Sequence, residues 1–139
     1  MRVKRLVESA KLPTKAHLGD LGYDLYCVED AIIYPGHTTV IPTGVAIEFP
    51  EGYGGVIKDR SSVATKMEIF TVAGVIDNGY IGEIKVAFFN GGLGVQKITA
   101  GTKIAQLVLI PTVDFEVEEV DEVVSADKRG DAGFGSTGI

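Results

Sequence analysis

Glu83-Ile84-Lys85-Val86-Ala87-Phe88-Phe89-Asn90 is a short run rich in Val, Ile and Phe, followed at once by Gly91-Gly92-Leu93-Gly94. β-Branched and aromatic side chains fit a pleated, half-buried surface, and Asn and Gly accept the positive φ of tight turns. Residues 83–90 are therefore expected to form a strand and residues 90–94 a hairpin. The same grammar recurs along the chain, where 18 Gly and 5 Pro among 139 residues punctuate runs of Val, Ile, Thr, Tyr and Phe. Further strands are expected over residues 3–7, 23–26, 31–34, 38–42, 44–49, 53–58, 68–72 and 103–110. One helix of about two turns is expected over residues 61–67, SSVATKM, where Ser can cap the first amides and Ala64 and Lys66 favour helix. The fold class is all-β.

A chain of 139 residues suits one domain and can bury roughly two-thirds of its unfolded surface without disulfide or metal staples. The single Cys27 rules out a disulfide framework within the chain. With 13 basic and 19 acidic side chains the net charge is −6, which argues against nucleic-acid and anionic-membrane partners, since both need a positive surface field. No stretch approaches the ~18 uninterrupted apolar residues of a membrane span. The start, MRVKRLVESAKLP, lacks a long apolar segment with a cleavage site. A soluble, cytoplasmic protein is expected. Cys27, His17 and His37 have no ligand spacing to further donors and are expected to be structural or surface residues.

After Pro111 the composition shifts. TVDFEVEEVDEVVSADKRGDAGFGSTGI begins as an acidic edge-strand candidate and then loses its apolar content. Residues 129–139 contain four Gly and are expected to be mobile in the free chain. Simple terminal disorder accounts for that composition equally well.

Four local features carry chemistry. In Gly22-Tyr23-Asp24-Leu25, Gly permits a close approach into a strand and Asp24 sits among apolar neighbours, an arrangement that an Asx-turn also explains. In Asp59-Arg60-Ser61-Ser62, amides and hydroxyls at a helix start point the same way as a guanidinium, which suits an anion, although a cap beside a surface ion pair has the same pattern. In the run from Ala73 to Gly82, AGVIDNGYIG, an apolar segment delivers Asp77 to a turn with Tyr80 three residues later; a type I′ hairpin on Asn78-Gly79 is the plainer reading. In the tail, Arg129, exposed glycine amides, Ser136 and Thr137 suit a phosphate, and Phe134 between glycines suits stacking on a base.

With Gly101-Thr102-Lys103-Ile104-Ala105-Gln106-Leu107, these segments resemble the five ordered motifs of the trimeric dUTPase (deoxyuridine 5'-triphosphate nucleotidohydrolase) family, from about Gly22 to Gly138. The resemblance implies a jelly-roll-like β-sandwich assembled as a homotrimer, each active site built from three chains. It divides the chain into a catalytic domain, residues 1–120, and an arm, residues 121–139, that closes over a neighbouring subunit's site.

It further implies hydrolysis of dUTP to dUMP and pyrophosphate. Asp77 would hold and deprotonate the water that attacks the α-phosphorus; a carboxylate is a weak base but a good water anchor. Tyr80 would stack against the deoxyribose and leave no room for a 2′-hydroxyl. Backbone between Thr71 and Lys85, chiefly at Val75, Ile76 and Lys85, would pair with the uracil edge. Arg60, Ser61 and Ser62 would hold the phosphate chain, Gln106 the α-phosphate region, and Arg129, Gly135, Ser136 and Thr137 the γ-phosphate, with Phe134 over the uracil face. Mg2+ is implied by the triphosphate, with Asp24 touching its hydration shell through water or bracing Arg129, and no all-protein metal cage is expected.

The chain departs from the family pattern at Asp59, where Pro or Gly is common, at Thr71, where many bacterial members have Asn, and at Gly79 and Ile81. The related dCTP deaminase family shares similar segments but carries a catalytic Glu where this chain has Ala87, which leaves no acid/base for attack on a cytosine ring. A non-catalytic nucleotide-binding β-sandwich is the other alternative.

Overall fold

The computed structural model describes residues 1–124. One four-stranded antiparallel sheet runs in the order β1 (Arg2–Arg5), β4 (Thr38–Glu48), β8 (Glu83–Asn90), β6 (Ile69–Thr71). A second runs β2 (Gly22–Tyr26), β10 (Lys103–Pro111), β5 (Tyr53–Asp59), β7 (Val75–Ile76). A small ribbon pairs β3 (Ala31–Ile33) with β9 (Gln96–Ile98), and α1 (Ser61–Met67) is the single helix among the described residues.

The two larger sheets close on one core. Ile84, Val86, Phe88 and Asn90 of β8 point inward at 0% exposure while Lys85 and Phe89 in the alternate positions face out, the period-two pattern of a strand with one buried face. Ile41, Val45 and Ile47 of β4 meet Leu25, Ile57, Ile104 and Leu107 of the opposite sheet in the same buried cluster. Burying each such side chain contributes about 1.5–3 kcal/mol. The fold is the expected all-β, jelly-roll-like sandwich, and its connections between sheets set the functional segments at strand ends.

Local expectations need correction. The strands expected over residues 38–42 and 44–49 are one 11-residue strand, β4. Pro42 lacks an N–H and Gly44 has φ +67°, so the ladder shifts register between Pro42 and Ala46 instead of breaking. Residues 90–94 form no hairpin: β8 pairs with β4 and β6, whereas β9 pairs with β3. Buried Asn90 organises the crossover, donating from Nδ2 to the carbonyls of Ile33 (2.9 Å) and Gly94 (2.8 Å) and accepting from Gly92 N–H at 2.9 Å.

The α1 boundaries agree with expectation, but the cap does not. Arg60 occupies the N-cap position in an extended conformation without a side-chain cap bond, so Ser61 already lies inside the helix. The acidic edge strand after Pro111 is absent through residue 124. β10 already has neighbours on both sides, and Val113, Phe115 and Val117 are 67%, 85% and 99% exposed and pair with no strand among the described residues. The short strands β7 and β9 were not expected.

Candidate active site

The ends of β2, β10 and β5 bring the first set of chemical residues together. Asp24 faces Gln106 in register across β2 and β10, and Gln106 faces Lys58 across β10 and β5. A polar pocket of about 290 Å³ opens there, lined in part by Gly22, Asp24, Arg60, Ser61, Ser62 and Gln106. A side chain at Gly22 would displace Gln106, since a Cβ there would stand 2.5 Å from Gln106 Oε1 and 2.9 Å from its Cβ. Gln106 in turn donates from Nε2 to the Asp59 carbonyl at 3.2 Å, which fixes its amide beside the start of α1.

Two cations meet on one carboxylate. Arg60 Nε donates to Asp24 Oδ1 at 3.0 Å, and Lys103 Nζ lies 2.7 Å from Asp24 Oδ2. Arg60 Nη1 also donates to the Lys103 carbonyl at 3.3 Å. The hydrogen bond and charge of Asp24 raise the Lys103 ammonium above its ordinary value. Lys103 is thus a member of the polar cluster that the sequence reading did not single out, because its role appears only when β10 is paired with β2.

A second cleft, about 190 Å³, is lined by Val75, Ile76, Asp77, Tyr80, Glu83 and Lys85. β7 is the edge strand of its sheet, so one side of its backbone is left open to a ligand. Ala73 (φ 62°) and Gly74 (φ 103°) turn the chain into β7, and a Cβ at Gly74 would come within 3.1 Å of the Ile57 carbonyl oxygen. The turn that follows is not a type I′ hairpin: neither Asn78 nor Gly79 has a positive φ. It is closed by Tyr80 N–H on the Asp77 carbonyl at 3.1 Å, while Asn78 Nδ2 reaches the carbonyls of Pro50 (2.9 Å) and Tyr53 (2.6 Å). Asp77 is thereby held exposed at the cleft.

Tyr80 donates its hydroxyl to the Glu83 carbonyl at 3.0 Å, and its ring occupies the space that a Cβ at Gly82 would need, 2.5 Å from the hydroxyl oxygen. Glu83, also not singled out from sequence, accepts the Gly44 N–H at 2.9 Å and stands 3.6 Å from Lys85 Nζ. Thr71 does not line this cleft; its N–H donates to Asp59 Oδ1.

The two clefts share no lining residue. A third hollow, about 260 Å³ between β1, β4 and Ile81, contains none of the expected site residues. Arg129, Phe134, Gly135, Ser136 and Thr137 lie outside the described residues. Among the described residues no three His, Cys, Asp or Glu side chains gather to hold a metal ion, and no helix is long and apolar enough to cross a membrane.

An antiparallel jelly-roll-like sandwich with its candidate site residues divided between two clefts is the class that fold and geometry define. The family model for dUTPase matches residues 8–138. The deoxyuridine 5'-triphosphate nucleotidohydrolase of Gloeothece citriformis is 44% identical over 141 residues, covering 100% of this chain and 97% of that protein. The solved dUTPase of Staphylococcus bacteriophage 80alpha with dUpNHpp superposes with a TM-score of 0.91 at 33% identity, covering 99% of this chain and 98% of that one. A dUTPase variant from phage phi11 of S. aureus, described with a coordinated structural Mg(II) ion, gives a TM-score of 0.81 at 31% identity over 87% of this chain and 96% of that one. The chain belongs to the dUTPase family.

Proposed function

We propose that this chain hydrolyses dUTP to dUMP and pyrophosphate, limiting uracil incorporation into DNA and supplying dUMP for dTMP synthesis in the cytoplasm. The observation that carries the reading is the cleft in which the open backbone edge of β7, the Asp77 carboxylate and the Tyr80 ring converge. A flat base edge can pair with β7 at Val75 and Ile76, with Lys85 beside it. The Tyr80 ring, fixed by its bond to Glu83, lies against the sugar and excludes a 2′-hydroxyl.

Asp77 anchors and deprotonates the attacking water. Arg60, Ser61, Ser62 and Gln106 hold the phosphate chain from the polar pocket. The complete site is assembled in a homotrimer, a reading supported by the division of base-side and phosphate-side residues between two clefts of one chain. Residues 1–120 act as the catalytic domain and residues 121–139 as the arm, bringing Arg129, Gly135, Ser136 and Thr137 to the γ-phosphate and Phe134 to the uracil face.

The donor set fits a hydrated Mg2+ carried mainly by the triphosphate. Asp24 lines the phosphate pocket, yet both its oxygens already face cations, so contact through water suits it better than direct ligation. When bound, the ion neutralises phosphate charge. Asp24 braces Arg60 within the chain.

Pyrophosphate release from dUTP, dTTP, dCTP and UTP in the presence of magnesium tests the proposal. Release from dUTP alone is expected. Silence with all four would leave a nucleotide-binding sandwich, and ammonia release from dCTP would make the chain a deaminase.

A further inference from the structure

We infer that Asp59 is a positioning residue that couples the phosphate-side pocket to the base-side cleft through the Thr71 amide. Its kinetic consequence rests on the proposed dUTP hydrolysis; the link itself does not. Asp59 is the last residue of β5, and its carbonyl holds the Gln106 amide. The next residue, Arg60, is held by Asp24. Asp59 Oδ1 accepts the Thr71 N–H at 2.5 Å.

Thr71 ends β6, an edge strand, so its amide would otherwise have no ladder partner on that side. Two residues later the chain turns at Ala73 and Gly74 into β7. Gly74 is itself tied to β5 through the Ile57 N–H at 2.8 Å, and Ile76 pairs with Gly55. The segment from Thr71 to Ile76, which carries the base-side backbone, is therefore fastened to β5 along its length, and Asp59 supplies the attachment nearest Arg60 and Ser61. A hydrogen bond from an amide to a carboxylate is among the stronger neutral-to-charged bonds. Asp59 spends Oδ1 on that amide and does not itself line the polar pocket.

The test compares Asp59→Ala, which removes the acceptor, with Asp59→Asn, which keeps an acceptor oxygen without the charge. Steady-state kinetics with dUTP and hydrogen exchange at the Thr71 amide are measured on the full chain. In Asp59→Ala, KM is expected to rise about tenfold, with a smaller change in kcat, and Thr71 loses exchange protection while Phe88 and Phe89 keep theirs. Asp59→Asn retains Thr71 protection and a KM near that of the wild type. A fall in KM in both variants would make Asp59 a repulsive charge and overturn the inference, as would unchanged Thr71 protection in Asp59→Ala. Should the Ala variant fail to fold, a tenfold rise in KM for Asp59→Asn overturns it equally. A wild-type chain silent with dUTP would refute the hydrolase reading alone, and Thr71 exchange would still decide the link.

Discussion

Asp24 Oδ1 accepts a hydrogen bond from Arg60 Nε at 3.0 Å, tying strand β2 to the N-cap residue of α1. The two positions are 36 residues apart in sequence, and the Asp24 side chain is only 13% exposed. The guanidinium is thus oriented before any anion arrives, which lowers the ordering cost of binding.

Asp24→Ala should leave Arg60 and Lys103 without their shared counter-charge. Both cations then repel each other and sample more rotamers. The expected result is a KM for dUTP raised by about tenfold with the sandwich intact, measured by steady-state kinetics alongside circular dichroism.

Asp77→Asn should reduce kcat by orders of magnitude while binding of a non-hydrolysable dUTP analogue stays nearly unchanged. The amide preserves shape but cannot take a proton. Wild-type turnover in this variant would remove Asp77 from the water-activating role.

Deleting residues 129–139 should preserve the proposed homotrimer by size-exclusion chromatography yet abolish efficient hydrolysis. The prediction follows from assigning the γ-phosphate and uracil-face contacts to that segment. Full activity of the truncated chain would show that residues 1–128 complete the site alone.

Cys27 offers a pH test of the core. The residue is 2% exposed and its thiol donates to the Thr99 carbonyl at 3.1 Å. Burial pushes the thiol above its ordinary value of 9.0, an effect reduced by backbone hydrogen bonding at Thr102. The folded value is raised, so this contribution to stability is complete below pH 9.0 and is lost as pH rises through the folded value. Urea midpoints should fall above that pH more steeply in wild type than in Cys27→Ala. At pH 8 iodoacetamide should label Cys27 in urea but not in the native protein.

Much of the candidate site was legible because its residues are local in sequence. AGVIDNGYIG places Asp77 and Tyr80 on one turn, and DRSS joins a strand end to a helix start. Glu83 and Lys103 were missed because each acquires its partner from a distant strand: Gly44 for the first, Asp24 for the second. Nothing in the spacing of their neighbours signals those contacts.

The sequence by itself determined the all-β class, the α1 segment and the position of β8, since side-chain shape and turn chemistry act over a few residues. Tertiary structure decided which strands pair. It made β4 continuous through Pro42 and Gly44, sent residues 90–94 across to the β3 ribbon around buried Asn90, and gave Asp59, which the sequence shows only as a departure from the family pattern, the Thr71 amide as a partner. Pairing depends on burying a whole sheet face and satisfying backbone groups far apart in the chain, and local residue preferences do not encode that long-range balance.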